Sequence, residues 1–239
     1  MDAREVEAMA RVEERHFWFR GKRALAARFL REARRAGVRG PALDLGCGTG
    51  QTLRTLLCDL PSIGVDGNAA GLAYCRRRGL ARLVRGDGAS VPVRDACVDL
   101  VTAFDLLEHL DDDRGALREI ARVLRPGGFL LANVPAYPSL FSEHDRALGH
   151  RRRYRRGELE TRAREEGFTV ARSTGWGLPL VPLLAITRRF RSRGGGSDVR
   201  EVPAPVNAAL GLLLSIERAI LRLFPFPAGL SWMVLARRP

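Results

Sequence analysis

Three glycines at alternate positions, Gly46, Gly48 and Gly50, follow the apolar run Ala42-Leu43-Asp44-Leu45 and lead into a helix start at Gln51. Such a turn strips side chains from the backbone, so a ligand can rest against bare N–H groups. Cys47 lies inside the turn, where a small side chain is enough. Asp66 closes the next apolar run, Ile63-Gly64-Val65, and is followed by Gly67 and Asn68. A carboxylate at the end of a second parallel strand is where a nucleoside ribose is held by its hydroxyls. The pair of features predicts a nucleoside cofactor. Downstream stand His109, His144 and His150. Histidine titrates near neutral pH and suits removal of a proton from a hydroxyl or acid, so these three are the candidate bases.

Spacing narrows the cofactor. A dinucleotide turn places its third glycine three residues after the second; here it falls two after, and Gln51 stands where close helix packing would want Gly or Ala. Asp44 would repel a pyrophosphate and suits a cation. The array Asp44-x-Gly46-x-Gly48-x-Gly50 resembles motif I of the class I S-adenosylmethionine (SAM) methyltransferases. The passages that follow extend the resemblance over residues 42–134. Leu83-Val84-Arg85-Gly86-Asp87-Gly88 resembles the third strand with its adenine-contacting acid. Cys97 to Asp105, followed by Leu106-Leu107-Glu108-His109-Leu110, resembles the fourth strand and the active-site edge. Leu117 to Gly128 resembles the helix, turn and entry to the fifth strand. Leu117, Ile120, Ala121 and Leu124 share a helical face there, Asp111 to Asp113 suit the helix start, and Pro126-Gly127 is the expected stop.

The resemblance implies a Rossmann-like α/β fold: a seven-stranded, mostly parallel sheet with helices on both faces and an antiparallel last strand. It implies SAM as cofactor, in contact with Asp44, Gly46, Cys47, Gly48, Gly50, Gln51, Asp66, Gly67, Asn68, Asp87, Gly88, Phe104, Asp105 and Leu106. The aromatic–arginine segment around Trp18 and Arg20 is implied to cover it. Phe104-Asp105-Leu106-Leu107 is not the Asx/Ser-Pro-Pro-aromatic signature of enzymes that methylate base nitrogens. Few aromatics interleave the arginines to stack bases, so a small-molecule acceptor is expected and nucleic acid is not. The acidic cluster of metal-dependent catechol enzymes is not evident, and no metal is expected. A nicotinamide-type oxidoreductase, an RNA methyltransferase and a noncatalytic SAM-binding protein stay open as alternatives.

The elements that must carry these residues fit one domain in 239 residues. Residues 1–38 read as a helical cap, 39–134 as the SAM-binding core and 135–156 as an active-site lid. Residues 175–228 read as an apolar helical insertion between strands six and seven. Its two apolar runs, separated by arginines and by Gly194 to Ser197, with the second, Val206 to Phe224, broken by Glu217, Arg218 and Arg222, suit a lid over a lipid-like acceptor or peripheral membrane contact through 175–224. The four cysteines show no paired spacing, the N-terminus is too charged for a secretory signal, and no apolar run is long enough to span a bilayer; a cytoplasmic protein is expected. The net charge of +13 is carried by arginine, with Lys22 the single lysine. Its clusters at 151–156 and 188–193 are expected to attract anions.

Overall fold

The computed structural model describes residues 3–182 and 202–239. The expected apolar run 183–186, the arginines of 188–193 and Gly194 to Ser197 lie outside them. Two helices open the chain, α1 (Ala3–Glu13) and α2 (Phe17–Arg35), separated where the His16 ring accepts a hydrogen bond from Trp18 N and caps α2. There follow β1 (Ala42–Leu45), α3 (Gln51–Thr55), β2 (Ser62–Asp66), α4 (Ala69–Arg77), β3 (Leu83–Arg85), β4 (Val98–Phe104), α5 (Asp113–Val123) and β5 (Leu124–Pro135). Then come α6 (Glu143–Ala147), α7 (Glu158–Glu165), β6 (Thr169–Trp176), α8 (Ala204–Ile220) and β7 (Ser231–Arg237).

The strands form one sheet in the order β3-β2-β1-β4-β5-β7-β6, with β7 antiparallel to both neighbours and the other six parallel. β1 is buried at every residue because helices cover both faces of the sheet. One face packs Leu117 and Ile120 of α5 and Leu159 of α7; the other packs Leu25 and Phe29 of α2, Leu72 of α4 and Leu214 of α8. This arrangement puts the carboxyl ends of β1, β2 and β4 side by side, which is where open α/β sheets bind ligands. No helix among the described residues is long and apolar enough to cross a membrane.

Three boundaries differ from the sequence expectation. α5 stops at Val123 rather than at Pro126-Gly127, because Leu124 is already extended and pairs with Val98; the Pro-Gly pair forms a bulge inside β5. β6 runs on through Gly175 and Trp176, which pair with Trp232 and Ser231, so the insertion starts two residues later. Glu217 does not break α8. It is buried, and its carboxylate accepts hydrogen bonds from Gly177 N (2.9 Å) and Leu178 N (2.8 Å), pinning the helix to the end of β6.

Candidate active site

Gly46 N and Cys47 N donate to Val65 O, which bends the chain as it leaves β1. Gly48 stands at φ +53°, and a Cβ placed on it would meet nothing within 4 Å, so this part of the turn faces open space. Behind the turn, α4 comes close: a Cβ on Gly71 would lie 2.8 Å from Gly48 O. Thr49 Oγ1 donates to Glu13 Oε2 (2.6 Å), and Arg78 donates to Glu13 Oε1 (2.7 Å) and Thr49 O (2.9 Å). The N-terminal cap thus clamps the outside of the turn through Glu13.

Two acids flank the open side. Asp66, at the end of β2, accepts Gly48 N on one oxygen and Asn68 N on the other, each at 2.7 Å; a carboxylate oxygen keeps a further lone pair for a ligand hydroxyl. Asp44 is buried, with Oδ1 accepting from Thr102 Oγ1 (2.7 Å) and no hydrogen-bond partner for Oδ2 among the described residues. Burial pushes its acid up to about 7, reinforced by Asp66 and opposed by the Thr102 bond and by Lys22. A cavity of about 630 Å³ continues from Gly67 along Arg85, Asp87 and Gly88 to Leu106 and Leu110. This is room for a flat, weakly polar ring between glycines and leucines.

Several of the expected contact residues also have partners within the chain. Asn68 caps α4, its side chain accepting from Ala70 N and Gly71 N. Gln51 turns its carbonyl toward Arg78 (3.4 Å). Phe104 packs against the core on the α2 face. Trp18 stacks on Trp176 with ring centroids 4.1 Å apart, and Arg20 is exposed. The stack packs the Trp18 indole against the end of β6. From the same helix, Lys22 reaches the site, paired with Asp105 and largely buried. Its only visible signal is being the single lysine in an arginine-rich chain.

Asp105 follows β4 with φ +52°, an unusual backbone for a non-glycine residue. Its N–H donates to Asn133 O (2.9 Å), Asn133 Nδ2 donates to its Oδ1 (2.5 Å), and Trp176 Nε1 donates to Asn133 Oδ1 (2.8 Å). Three residues on, Glu108 is 1% exposed and neither carboxylate oxygen has a hydrogen-bond partner among the described residues. Burial, then Asp105, pushes its acid well up. His109 and His150 meet edge to face, centroids 4.7 Å apart. Burial and His150 lower the His109 pKa, against a hydrogen bond with the Gly149 backbone. His150 Nδ1 lies 3.0 Å from Asp145 Oδ1, which also accepts from Arg153 Nε (2.7 Å). Burial alone would raise Asp145, but the bonds from His150 and Arg153 outweigh it and hold the carboxyl low. Glu108, His109 and His150 offer ligand atoms within 4.8 Å of one another, a grouping absent from the sequence reading; His144, on α6, is not part of it.

In the expected anion-attracting cluster at 151–156, three arginines are paired within the chain, while Arg155 and Arg156 are exposed. Arg151 pairs with Asp111, Arg152 with Asp113 and Arg153 with Asp145, while Tyr154 Oη donates to Asp113 Oδ2 (2.6 Å).

A family model described as a methyltransferase domain matches residues 43–132. A "Probable S-adenosylmethionine-dependent methyltransferase" of Mycolicibacterium smegmatis is 34% identical over 169 residues, 69% of this chain and 64% of that protein. The chain therefore spans just under two thirds of that relative. Among solved structures, a methyltransferase from a Haloferax volcanii complex with the Trm112 activator superposes with a TM-score of 0.63 at 23% identity, over 99% of this chain and 94% of that one. Phosphoethanolamine N-methyltransferase 2 of Haemonchus contortus, solved with SAM, superposes with a TM-score of 0.58 at 18% identity, over 89% of this chain and 52% of that one. These two likenesses concern the fold.

Proposed function

Since the chain belongs to the class I SAM-dependent methyltransferases, we propose that it moves the methyl group of SAM to a small acceptor with an apolar body, bound beside His109 and His150. The residues present fit that cofactor. Asp44 Oδ2 is a buried oxygen without a partner, as a cationic ligand group would require. The backbone at Gly48 is open, and Asp66 has lone pairs left for a ribose. The unpartnered Asp44 oxygen beside an open glycine turn is the observation that carries the reading.

When bound, SAM supplies a methyl already activated on a sulfonium. The chain's own work is then to hold, orient and keep out water. The ordered Asp105–Asn133–Trp176 chain of hydrogen bonds fixes the end of β4, and Lys22 ties the N-terminal cap to it. The lid returns through Tyr154, whose backbone pairs with Pro135 and Tyr137, and brings His150 against His109. Holding donor and acceptor in line supplies most of the catalysis for a methyl so activated.

The apolar acceptor is supported by α8 and the turn after it, where Leu212 (63% exposed), Ile216, Leu223 (79%) and Phe224 face outward. Such a face suits a lipid surface or a greasy acceptor arriving from one. Incubation with methyl-labelled SAM and cell extract split into lipid and aqueous fractions tests the proposal. Label is expected in the lipid fraction. Label confined to the aqueous fraction overturns the apolar acceptor, and none in either overturns catalysis.

A further inference from the structure

From the placement of Glu108, His109 and His150, we infer that the methyl-transfer edge is built to bind one divalent transition-metal ion, held by these three side chains. The three potential ligand atoms lie within 4.8 Å of one another, close enough for small side-chain movements to bring them onto one centre. Two imidazoles and one carboxylate suit zinc, manganese, iron or cobalt, and leave coordination positions open for a further ligand.

Three features distinguish this from a chance cluster. Glu108 is sealed from solvent, yet both its oxygens lack any hydrogen-bond partner among the described residues. A buried carboxylate is retained at a cost unless a positive group meets it, and the near cations are already engaged: Lys22 with Asp105, Arg153 with Asp145. One histidine is also held from behind. His150 Nδ1 meets Asp145 at 3.0 Å, leaving Nε2 for the centre. A carboxylate partner of this kind fixes the ring and tautomer of a ligating histidine. Asp145 is itself locked by Arg153 Nε at 2.7 Å and Ser142 N at 2.8 Å, so the support is rigid. Finally, the ligands come from two separate places, the turn after β4 and the lid, so an ion would tie the lid shut over the edge of the sheet. Asp105 is not among the ligands, because its oxygens are taken by Lys22 and Asn133.

The binding of the ion stands on the triad alone. Its purpose rests on the methyl-transfer reading: the open positions take an oxygen of the acceptor, which places the substrate class among hydroxyl- or vicinal-oxygen-bearing molecules and makes that oxygen easier to deprotonate, the proton leaving to solvent. His109 and His150 then act as ligands, not as bases.

Chelator-treated protein is titrated with Co²⁺, read by visible d–d absorption, and with Zn²⁺ and Mn²⁺, read by calorimetry; SAM is titrated separately. One equivalent is expected, with Co²⁺ bands of a nitrogen- and oxygen-ligated site. Glu108→Gln, which keeps the volume, and His150→Ala should each weaken Co²⁺ binding at least tenfold and leave SAM affinity within twofold. Asp145→Asn should bind Co²⁺ with an altered spectrum, as a positioning residue would. The inference is overturned if folded protein takes up no stoichiometric metal, or if the bands persist unchanged in Glu108→Gln. SAM failing to bind while Co²⁺ binds would leave the metal site standing and remove the methyl-transfer reading.

Discussion

At the residue scale, Asp44 gives the sharpest test. Its acid ionises near 7 in the fold against a reference of 3.8, so between those values the folded chain holds a proton that the unfolded chain has lost. Its contribution to stability therefore falls as pH rises through that window, and the ligand-free protein should melt at lower temperature at pH 7.5 than at pH 5.5 on its account. A cationic cofactor favours the ionised form. SAM should thus bind about tenfold more tightly at pH 7.5 than at pH 6, with proton release visible as a buffer-dependent heat. Asp44→Asn should abolish that pH dependence along with most of the affinity. Two glycines form a second test. A Cβ at Gly48 meets nothing, so Gly48→Ala should fold with a loss of about 1–2 kcal/mol for its left-handed backbone, yet lose SAM. At Gly50 a Cβ would lie 2.9 Å from Cys75 Sγ and collide with Leu80, so Gly50→Ala should chiefly lower the melting temperature.

At the element scale, α8 is tied to the end of β6 by the buried Glu217 carboxylate. Removing the Glu217 carboxylate leaves Gly177 N and Leu178 N without acceptors, so Glu217→Ala should cost about 2–4 kcal/mol in denaturant melts. The outward face of the same helix is a separate matter. Leu212→Asp with Leu223→Asp should leave stability within about 0.5 kcal/mol, because both are exposed, and should abolish sedimentation with anionic liposomes. Sedimentation unchanged by the double substitution would dissociate the apolar face from lipid. The elements themselves were legible where signals are local: β1, β2 and β4 are short apolar runs with turn residues after them. Element ends were less so. Leu124 fits the helical face of α5 by periodicity, but pairing with Val98 decides its conformation. Glu217 reads as an interruption in an apolar run, whereas the two N–H groups that need it come from a strand end far away in sequence.

At the scale of the whole molecule, the sheet order explains what the sequence could and could not show. The glycine turn, Asp66 and Asp87 follow successive strands and keep the order of the fold, so their spacing alone suggests a nucleoside site. Glu13 and Lys22 come from the N-terminal cap, and His150 from the lid. These reach the site only because α2 and the segment after β5 fold back over the carboxyl edge of the sheet, and no local pattern announces that return. The partner of Trp18, Trp176, was not legible, because the end of β6 supplies it from far along the chain. The arginines of 151–153 looked like a charged surface and are mostly struts to Asp111, Asp113 and Asp145.

Calorimetric titration of SAM into the folded chain, beside Asp66→Ala and Gly48→Ala, bears most directly on the account. Saturable one-site binding by the native chain, lost or weakened at least tenfold in both variants, is the predicted result. Absence of heat with the native chain, or equal affinity in Asp66→Ala, would contradict the assignment of the glycine turn as the cofactor cradle.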